Sequence, residues 1–400
     1  MDLAIIGAAM TPFGAHSGRD LRSLSSAAAM SALRDASLEA KDVQMAVFGN
    51  AAEGYLHGQE MVRGEVALRY LGLPGVPVIN VENACASSSS AFQIACMAVQ
   101  SGAADVVLVV GAERLTHPTK GKTFAALATA VDLGEHEDLA VMVGATGAPD
   151  RPVGSGSPLM ELYAQKAKSF MGETGLTPAD LAAVSVKNRR QAGLNPNAQF
   201  HTPISTGEVL GSRMIADPLT LLMCAPVSDG AAAVVVCSTD YARRLGRPFV
   251  EVVSWALTSN AANDDAAAPV ARAARKAFDA AGIGPADVDL VEVHDACAAA
   301  ELWLYEDLGL GNSAELIRSG ATALGGRVPV NVSGGLLSKG HPLGATGCAQ
   351  LVELCDQLRD RAGERQVDGA EWALAQNSGG ILDDGDEAVA AVTVLRRARG

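Results

Sequence analysis

The segment Asn83-Ala84-Cys85-Ala86-Ser87-Ser88-Ser89-Ser90 follows the apolar run Val76–Val81 and opens a stretch of small residues. A strand that ends on a cysteine at a helix N-terminus sets the thiol beside unpaired backbone N–H groups and the positive end of the helix dipole. Both are expected to lower the thiol pKa and favour the nucleophilic thiolate. The same N–H groups can hold the oxyanion formed when a thioester carbonyl is attacked, and small neighbours let that carbonyl come close. Read alone, the pattern also fits a buried, inert cysteine. That blander reading suits Cys96, Cys237 and Cys355, which lie inside apolar helix or strand patterns.

The elements that must carry such a nucleophile are written twice in the chain. Short apolar runs alternate with helical patterns, the layout of an α/β protein. Residues Ala32–Ala51 (ALRDASLEAKDVQMAVFGNA) and Ala277–Ala296 (AFDAAGIGPADVDLVEVHDA) each read as a helix end, a turn, Asp-Val, and a strand opening onto a loop. A second pair, Val76–Val81 and Val328–Val332, gives a strand, a small-residue loop and a long helix, beginning near Cys85 in one case and near His341-Pro342-Leu343 in the other. Two repeats in the same order imply homologous halves related by a pseudo-twofold. The expected division is 1–250 and 251–400, with a loop domain at about 117–225 inserted in the first half. That insertion is rich in Gly, Pro and polar residues at Gly144–Pro158. It has helices near Leu159–Phe170 and Pro178–Arg190, after which Ala231–Cys237 returns to the first sheet.

Composition narrows the class of function. Four hundred residues, 48% of them apolar, suffice for one or two cores. A net charge of −14, with no long run among the 31 basic residues, argues against nucleic acid as a partner. The seven cysteines lack C-x2-C zinc pairs and read as reduced thiols. No leader is apparent, and no apolar run reaches the ~18–20 residues that cross a bilayer. The expected location is therefore the cytoplasm, without membrane association, and the Ala- and Arg-rich usage suggests a bacterial gene. His16, His57, His117, His136 and His201 read as surface residues, or at most as substrate-loop contacts. The acidic runs Asn263-Asp264-Asp265 and Asp383–Glu387 read as solvated turns without metal-ligand spacing.

The string from Gly334 to Gly347, GGLLSKGHPLGATG, resembles the signature of thiolases, and of the sterol-carrier-protein type in particular. Val293-His294-Asp295 resembles the His-Asp motif of that branch, and Cys224–Ala233 and Lys187-Asn188…Asn195-Pro196…Gln199-Phe200 look like it too. The resemblance covers essentially the whole chain. It implies the five-layer αβαβα thiolase fold of two duplicated halves. It implies His341 as activator of Cys85 and, with His294, as the first oxyanion hole; the backbone N–H groups of Cys85 and Gly379 would form the second. A neutral imidazole at His341 suits that task. Coenzyme A would be the acyl carrier, a substrate and not a permanently bound cofactor, lying against the loop domain. Lys187, Arg189 and Arg190 are candidates for its phosphates, a solvated helix face being the alternative. The resemblance also implies a homodimer or a dimer of dimers. The tail Ala375–Val389 is similar to that of thiolase-like proteins encoded beside a small zinc-ribbon/OB-fold subunit.

The implied reaction is thiolytic cleavage of a 3-oxoacyl-CoA, or the reverse Claisen condensation, through a Cys85 acyl-enzyme. A retro-aldol lyase acting on a 3-hydroxyacyl-CoA and a non-catalytic acyl-CoA-binding scaffold are the alternatives. One departure bears on this choice. Thiolases use a second cysteine to move the proton at the substrate α-carbon, in a C-terminal Cys-x-Gly loop or directly after His-Asp. Those two places are Asn377 and Ala296 here, and the nearest cysteine is Cys297. Cys297 is a candidate shuttle, or it packs against the following helix, because one residue can turn a side chain to the opposite face.

Overall fold

The computed structural model describes residues 2–135, 158–261, 267–382 and 385–398. His136, nearly all of the Gly144–Pro158 stretch, Asn263-Asp264-Asp265 and Asp383-Asp384 lie outside the described residues. The strands are β1 (Leu3–Met10), β2 (Met45–Gly49), β3 (Val78–Val81), β4 (Val106–Arg114), β5 (Met214–Ala216), β6 (Leu219–Thr220), β7 (Asp229–Ser238), β8 (Val250–Ser259), β9 (Leu290–Glu292), β10 (Trp372–Ile381) and β11 (Glu387–Arg397). The helices that position the site are α1 (Leu21–Asp35), α2 (Ser87–Gln100), α3 (Lys120–Ala128), α4 (Pro158–Thr174), α5 (Pro178–Ala192), α6 (Pro269–Ala281), α7 (Ala298–Asp307), α8 (Gly335–Lys339) and α9 (Thr346–Leu358).

Nine strands run in the order β3-β2-β4-β7-β1-β8-β11-β10-β9. The order is symmetric about the antiparallel contact of Leu3–Ile5 with Val250–Val252. On either side comes an antiparallel neighbour (β7, β11), then a long strand (β4, β10), then a parallel partner (β2, β9). The outermost β3 has its counterpart at Val330, which bridges Val291 in parallel. The repeated Asp-Val is explained locally. Asp42 and Asp287 each accept the backbone N–H three residues earlier at 2.8 Å, capping a one-turn helix that feeds β2 or β9.

Side-chain alternation builds the layers. In β4, Val106, Leu108 and Val110 pack with Leu24, Ala28 and Ala32 of α1. Val107 and Val109 face the opposite way, onto Phe92 of α2 and Leu351 of α9. In the second half Ala373, Ala375 and Leu395 join that same central cluster. Leu374, Val392 and Val394 point outward to Phe278 of α6 and Leu302 of α7. Strands covered on both faces read as continuous apolar runs, as these do. The result is α1, sheet, α2 with α9, sheet, α6 with α7: five layers. From the inserted segment, α4 and α5 pack on α7, and α5 also on α8.

The second central helix differs from expectation at its start. The longer loop of the second half first makes α8, and only then passes through Gly340-His341-Pro342 and a one-turn helix at Leu343–Ala345 into α9. The two central helices then meet backbone to backbone. A Cβ at Gly347 would stand 2.7 Å from the Ser89 nitrogen and closer still to its hydroxyl, while the Cys348 N–H donates to Ser88 Oγ at 3.0 Å. Gly347→Ala should therefore cost about 1–3 kcal/mol or more, the usual cost of overpacking, measured by urea denaturation. A loss under about 0.5 kcal/mol, the ordinary range for surface substitutions, would contradict this packing.

Candidate active site

Cys85 lies in a one-turn helix, Ala84–Ala86, between β3 and α2. Ala84 has φ of 46°, an uncommon conformation for a residue with a Cβ. The serines that follow stabilise this turn and leave the thiol as its only nucleophile. Ser87 Oγ accepts from the Asn83 N–H at 3.0 Å and donates to the Ala84 carbonyl at 2.6 Å, while Asn83 Nδ2 donates to Ser90 Oγ at 2.8 Å.

His341 is fixed by motifs that the chain places far from it. Ser228 Oγ accepts its backbone N–H at 3.0 Å and donates to Gln199 Oε1 at 2.6 Å. The Gln199 and Phe200 N–H groups bond the carbonyls of Lys339 and Ser338. Asp295 accepts the Leu336 N–H at 2.7 Å and Asn188 Nδ2 at 2.8 Å, so the residue beside His294 caps the helix that leads to His341. Buried Glu113, at the end of β4, accepts from Asn50 Nδ2 (2.8 Å), Ala51 N (2.9 Å) and Gly344 N (3.1 Å), tying loops of both halves together.

These supports bring one ligand-type atom each of Cys85, His294 and His341 within 4.8 Å of one another. The imidazoles meet edge to face, with centroids 5.0 Å apart. Among the described residues this is the one such group with metal-binding composition. Hydrogen bonds give the rings opposite tautomers. Asn377 Nδ2, a donor, lies 3.2 Å from His294 Nδ1, which must accept and leaves its proton on Nε2. Thr346 Oγ1 lies 2.8 Å from His341 Nδ1 and donates to the Pro342 carbonyl at 3.1 Å, an arrangement in which Nδ1 is the donor. His341 Nε2 is left as a base.

The protonation of Cys85 differs from expectation. Burial pushes its thiol up to about 12, and the nearby charge of Glu113 adds to this, while the backbone N–H contribution is smaller. Removal from water outweighs the helix end. Burial also pushes His294 down to about 3 and His341 well below the usual histidine range. The resting site is a neutral thiol between two neutral imidazoles.

The remaining candidates are scattered. Gly379, on β10, abuts the nucleophile turn, for a Cβ there would stand 3.0 Å from the Ala86 nitrogen and closer to the Asn83 carbonyl. Cys297 is fully buried in the second-half core as the N-cap of α7, its backbone bridged to Cys224, and Ala296 instead lines the cavity over Cys85. Cys297 is thus not among the residues that line this cavity, and the expected shuttle position beside it holds an alanine. Lys187 and Arg189 are buried as well. Lys187 pairs with Glu301 at 2.5 Å and donates to the Val330 carbonyl; Arg189 donates to Ser338 and stacks on Phe200. Neither a phosphate site nor a solvated face describes them, for both are spent tying α5 to the second half. Arg190 alone of the three is exposed. His201 is exposed and His16, His57 and His117 are half-buried.

Thr346, Glu113 and Asn377 were not evident as site residues from the chain alone. Glu113 had one signal, a charge ending an otherwise apolar strand. The cavity over Cys85 encloses about 200 Å³ beneath α3 and α4, with Phe124, Leu127, Leu159, Met160 and Tyr163 on its walls and Arg213 as its one cationic side chain.

Comparison with known proteins agrees with this geometry. The thiolase N-terminal domain family matches residues 3–240, and the thiolase C-terminal domain-like family matches 252–393. An acetyl-CoA acetyltransferase of Methanothermobacter thermautotrophicus is 39% identical, covering 95% of this chain and 96% of its own. The benzoylsuccinyl-CoA thiolase subunit BbsB of Thauera aromatica is 39% identical over 91% of each chain. Human sterol carrier protein 2 is 36% identical over 94% of this chain and 69% of its own. Among solved structures, an Ltp2-ChsH2(DUF35) aldolase superposes with TM-score 0.79 at 24% identity, covering 100% of this chain and 98% of its own. Human mitochondrial 3-ketoacyl-CoA thiolase in complex with CoA does so with 0.72 at 18%, covering 100% and 98%.

A buried, protonated thiol makes a specific prediction. Alkylation of Cys85 by iodoacetamide, followed by peptide mass spectrometry, should accelerate continuously from pH 7 to pH 10, because the thiolate fraction rises until pH passes the thiol pKa. A plateau below pH 9 would contradict it. Glu113→Gln removes a negative charge that disfavours the thiolate, so it should speed alkylation at any fixed pH in that window.

Proposed function

This chain belongs to the thiolase family, and from that premise we propose that Cys85 carries the acyl group through a covalent thioester while His341 moves its proton. The enzyme is an acyltransferase of the thiolase type, with coenzyme A thioesters as substrates. The observation that carries the assignment of roles is the meeting of Cys85, His294 and His341, with one Nε2 protonated and the other free.

Since the thiolate is not populated at rest, proton transfer and attack are coupled. His341 Nε2 takes the Cys85 proton as Sγ bonds to C3 of a 3-oxoacyl-CoA. The tetrahedral oxyanion is held by the N–H groups of Cys85 and Gly379. As it collapses, the C2–C3 bond breaks and its electron pair becomes the enolate of the departing thioester. The enolate oxygen lies against the Nε2–H groups of His294 and protonated His341, a preorganised pair in a largely buried site. The enolate gains a proton at C2 and leaves. Coenzyme A, whose thiol proton makes good that one, takes the acyl group as its thiolate, and Cys85 recovers its proton from His341. Condensation is the same path reversed. Buried His294, already a donor, needs no change of state in either direction.

A second protein and a second copy of this chain are part of the reading. The Ltp2-ChsH2(DUF35) aldolase is named for two components, and BbsB is named as a subunit. Both support a partner subunit, and we take it to be the small zinc-ribbon/OB-fold protein. A homodimer is supported by β3, an edge strand of the sheet, and by the exposed apolar Met61 and Val62 nearby. The retro-aldol reading draws on the same aldolase structure and on the absence of a second cysteine from positions 296 and 377.

Acid-quenched mass spectrometry after mixing with acyl-CoA thioesters should show an acyl adduct on Cys85, absent in Cys85→Ala and forming about 10²–10⁴-fold more slowly in His341→Ala. No adduct with short, branched or aromatic acyl-CoAs would sink the thiolase reading. Carbonyl release from a 3-hydroxyacyl-CoA, without coenzyme A consumption and undiminished in Cys85→Ala, would replace it with the lyase.

A further inference from the structure

We infer that Tyr163 of α4 is the acid–base group that serves the substrate α-carbon in this enzyme, in place of the missing second cysteine; the inference rests on the acyl-enzyme reading above. C–C cleavage leaves an electron pair that must end on a proton at C2, and the thioester enolate gains that proton far faster from a positioned donor than from solvent water. The donor has to line the cavity that holds Cys85.

Five side chains there carry exchangeable protons: Cys85, His341, Cys224, Arg213 and Tyr163. Cys85 and His341 are occupied with the acyl transfer, and His294 beside them holds the enolate oxygen without changing its state. The Cys224 thiol donates to the Thr220 carbonyl at 3.4 Å. Arg213 does not give up a proton at any working pH. Asn377 and Ala296, where a cysteine was expected, have nothing to titrate, and Cys297 is buried outside the cavity lining. Tyr163 remains. Its hydroxyl has no hydrogen-bond partner among the described residues, and Cys85 and Cys297 are the groups that act on it most after burial itself. Its ring is held in place, stacked on Trp303 at 6.1 Å and 10°, with Phe170 edge-on to the same indole. Rigid placement with an uncommitted polar end is what a proton donor requires.

The proton balance closes without another reagent. The enolate takes the Tyr163 proton at C2 and leaves as the shorter acyl-CoA. The phenolate then takes the thiol proton of the incoming coenzyme A, and the resulting thiolate attacks the Cys85 thioester. A thiolate can also form in water, so the second step depends on Tyr163 less than the first. That asymmetry separates a proton donor from a residue that merely shapes the cavity.

The test compares two rates in wild type and in Tyr163→Phe, which keeps the ring and its stacking. One is the cleavage of acetoacetyl-CoA or 3-oxohexanoyl-CoA by coenzyme A; the other is acylation of Cys85 by acetyl-CoA or butyryl-CoA, which breaks no C–C bond. Cleavage should fall about 10²–10⁴-fold, and by at least about tenfold more than acylation does. Placing a cysteine where the cavity wall has Ala296, in the double variant Tyr163→Phe/Ala296→Cys, should recover at least about tenfold of the lost cleavage, since a general acid–base group is worth that much or more. Equal losses in both rates, cleavage within about threefold of wild type, or no recovery in the double variant would each overturn the inference. Failure of wild type to form any Cys85 adduct would instead overturn the acyl-enzyme reading on which it stands.

Discussion

Everything in the site hangs on the contact between the starts of the two central helices. Gly347 lies against Ser89 and the Cys348 N–H against Ser88 Oγ, so close that no side chain fits between the backbones. The loop before one helix carries Cys85, and the loop before the other carries His341. His294 arrives from the neighbouring strand end of the second half. Groups far apart in sequence are thereby brought together by two layers of small residues. The serines and glycines of NACASSSS and GHPLGATG are there for approach, and the thiol and imidazole inherit their positions from it.

That closeness has an electrostatic consequence. A site buried between the two halves of the sheet is poor in water, and burial raises the Cys85 thiol and lowers both imidazoles. The resting enzyme holds no ion pair among these three groups. Its readiness lies in hydrogen-bond direction: Asn377 makes His294 a donor, and Thr346 makes His341 an acceptor. Asn377 thus replaces a chemical group with a positioning one. The site keeps the machinery for acyl transfer intact while the α-carbon proton has to be handled from another wall of the cavity.

The buried charges show the same economy of position. Lys187, Arg189, Asp295 and Glu301, joined by Asn188, form the seam between the inserted segment and the second half, and each of the four charged groups has a partner. Removing one partner from such a seam leaves an uncompensated charge in the interior, costing several kcal/mol. Their pattern in the chain resembles a cofactor-facing basic face because a helix repeats the same residue types whether it meets a phosphate or a carboxylate.

The sequence by itself determined the duplicated α/β framework, since a strand's alternation and the Asp-capped turns are local and recur in both halves. It also singled out Cys85, His294 and His341, which the fold brings together, because their surroundings are contiguous motifs. What only the tertiary structure decided depends on long-range burial and direction. The thiol pKa runs against the local pattern because a helix end is visible in a few residues, whereas desolvation comes from layers assembled across the whole chain. Cys297 is buried in the second-half core while its neighbour Ala296 lines the cavity, a choice between adjacent residues that only the packed structure makes. Lys187 and Arg189 find partners in distant parts of the chain, Glu301 and Ser338. Tyr163 is one aromatic residue in an amphipathic helix until folding lays that helix over the nucleophile.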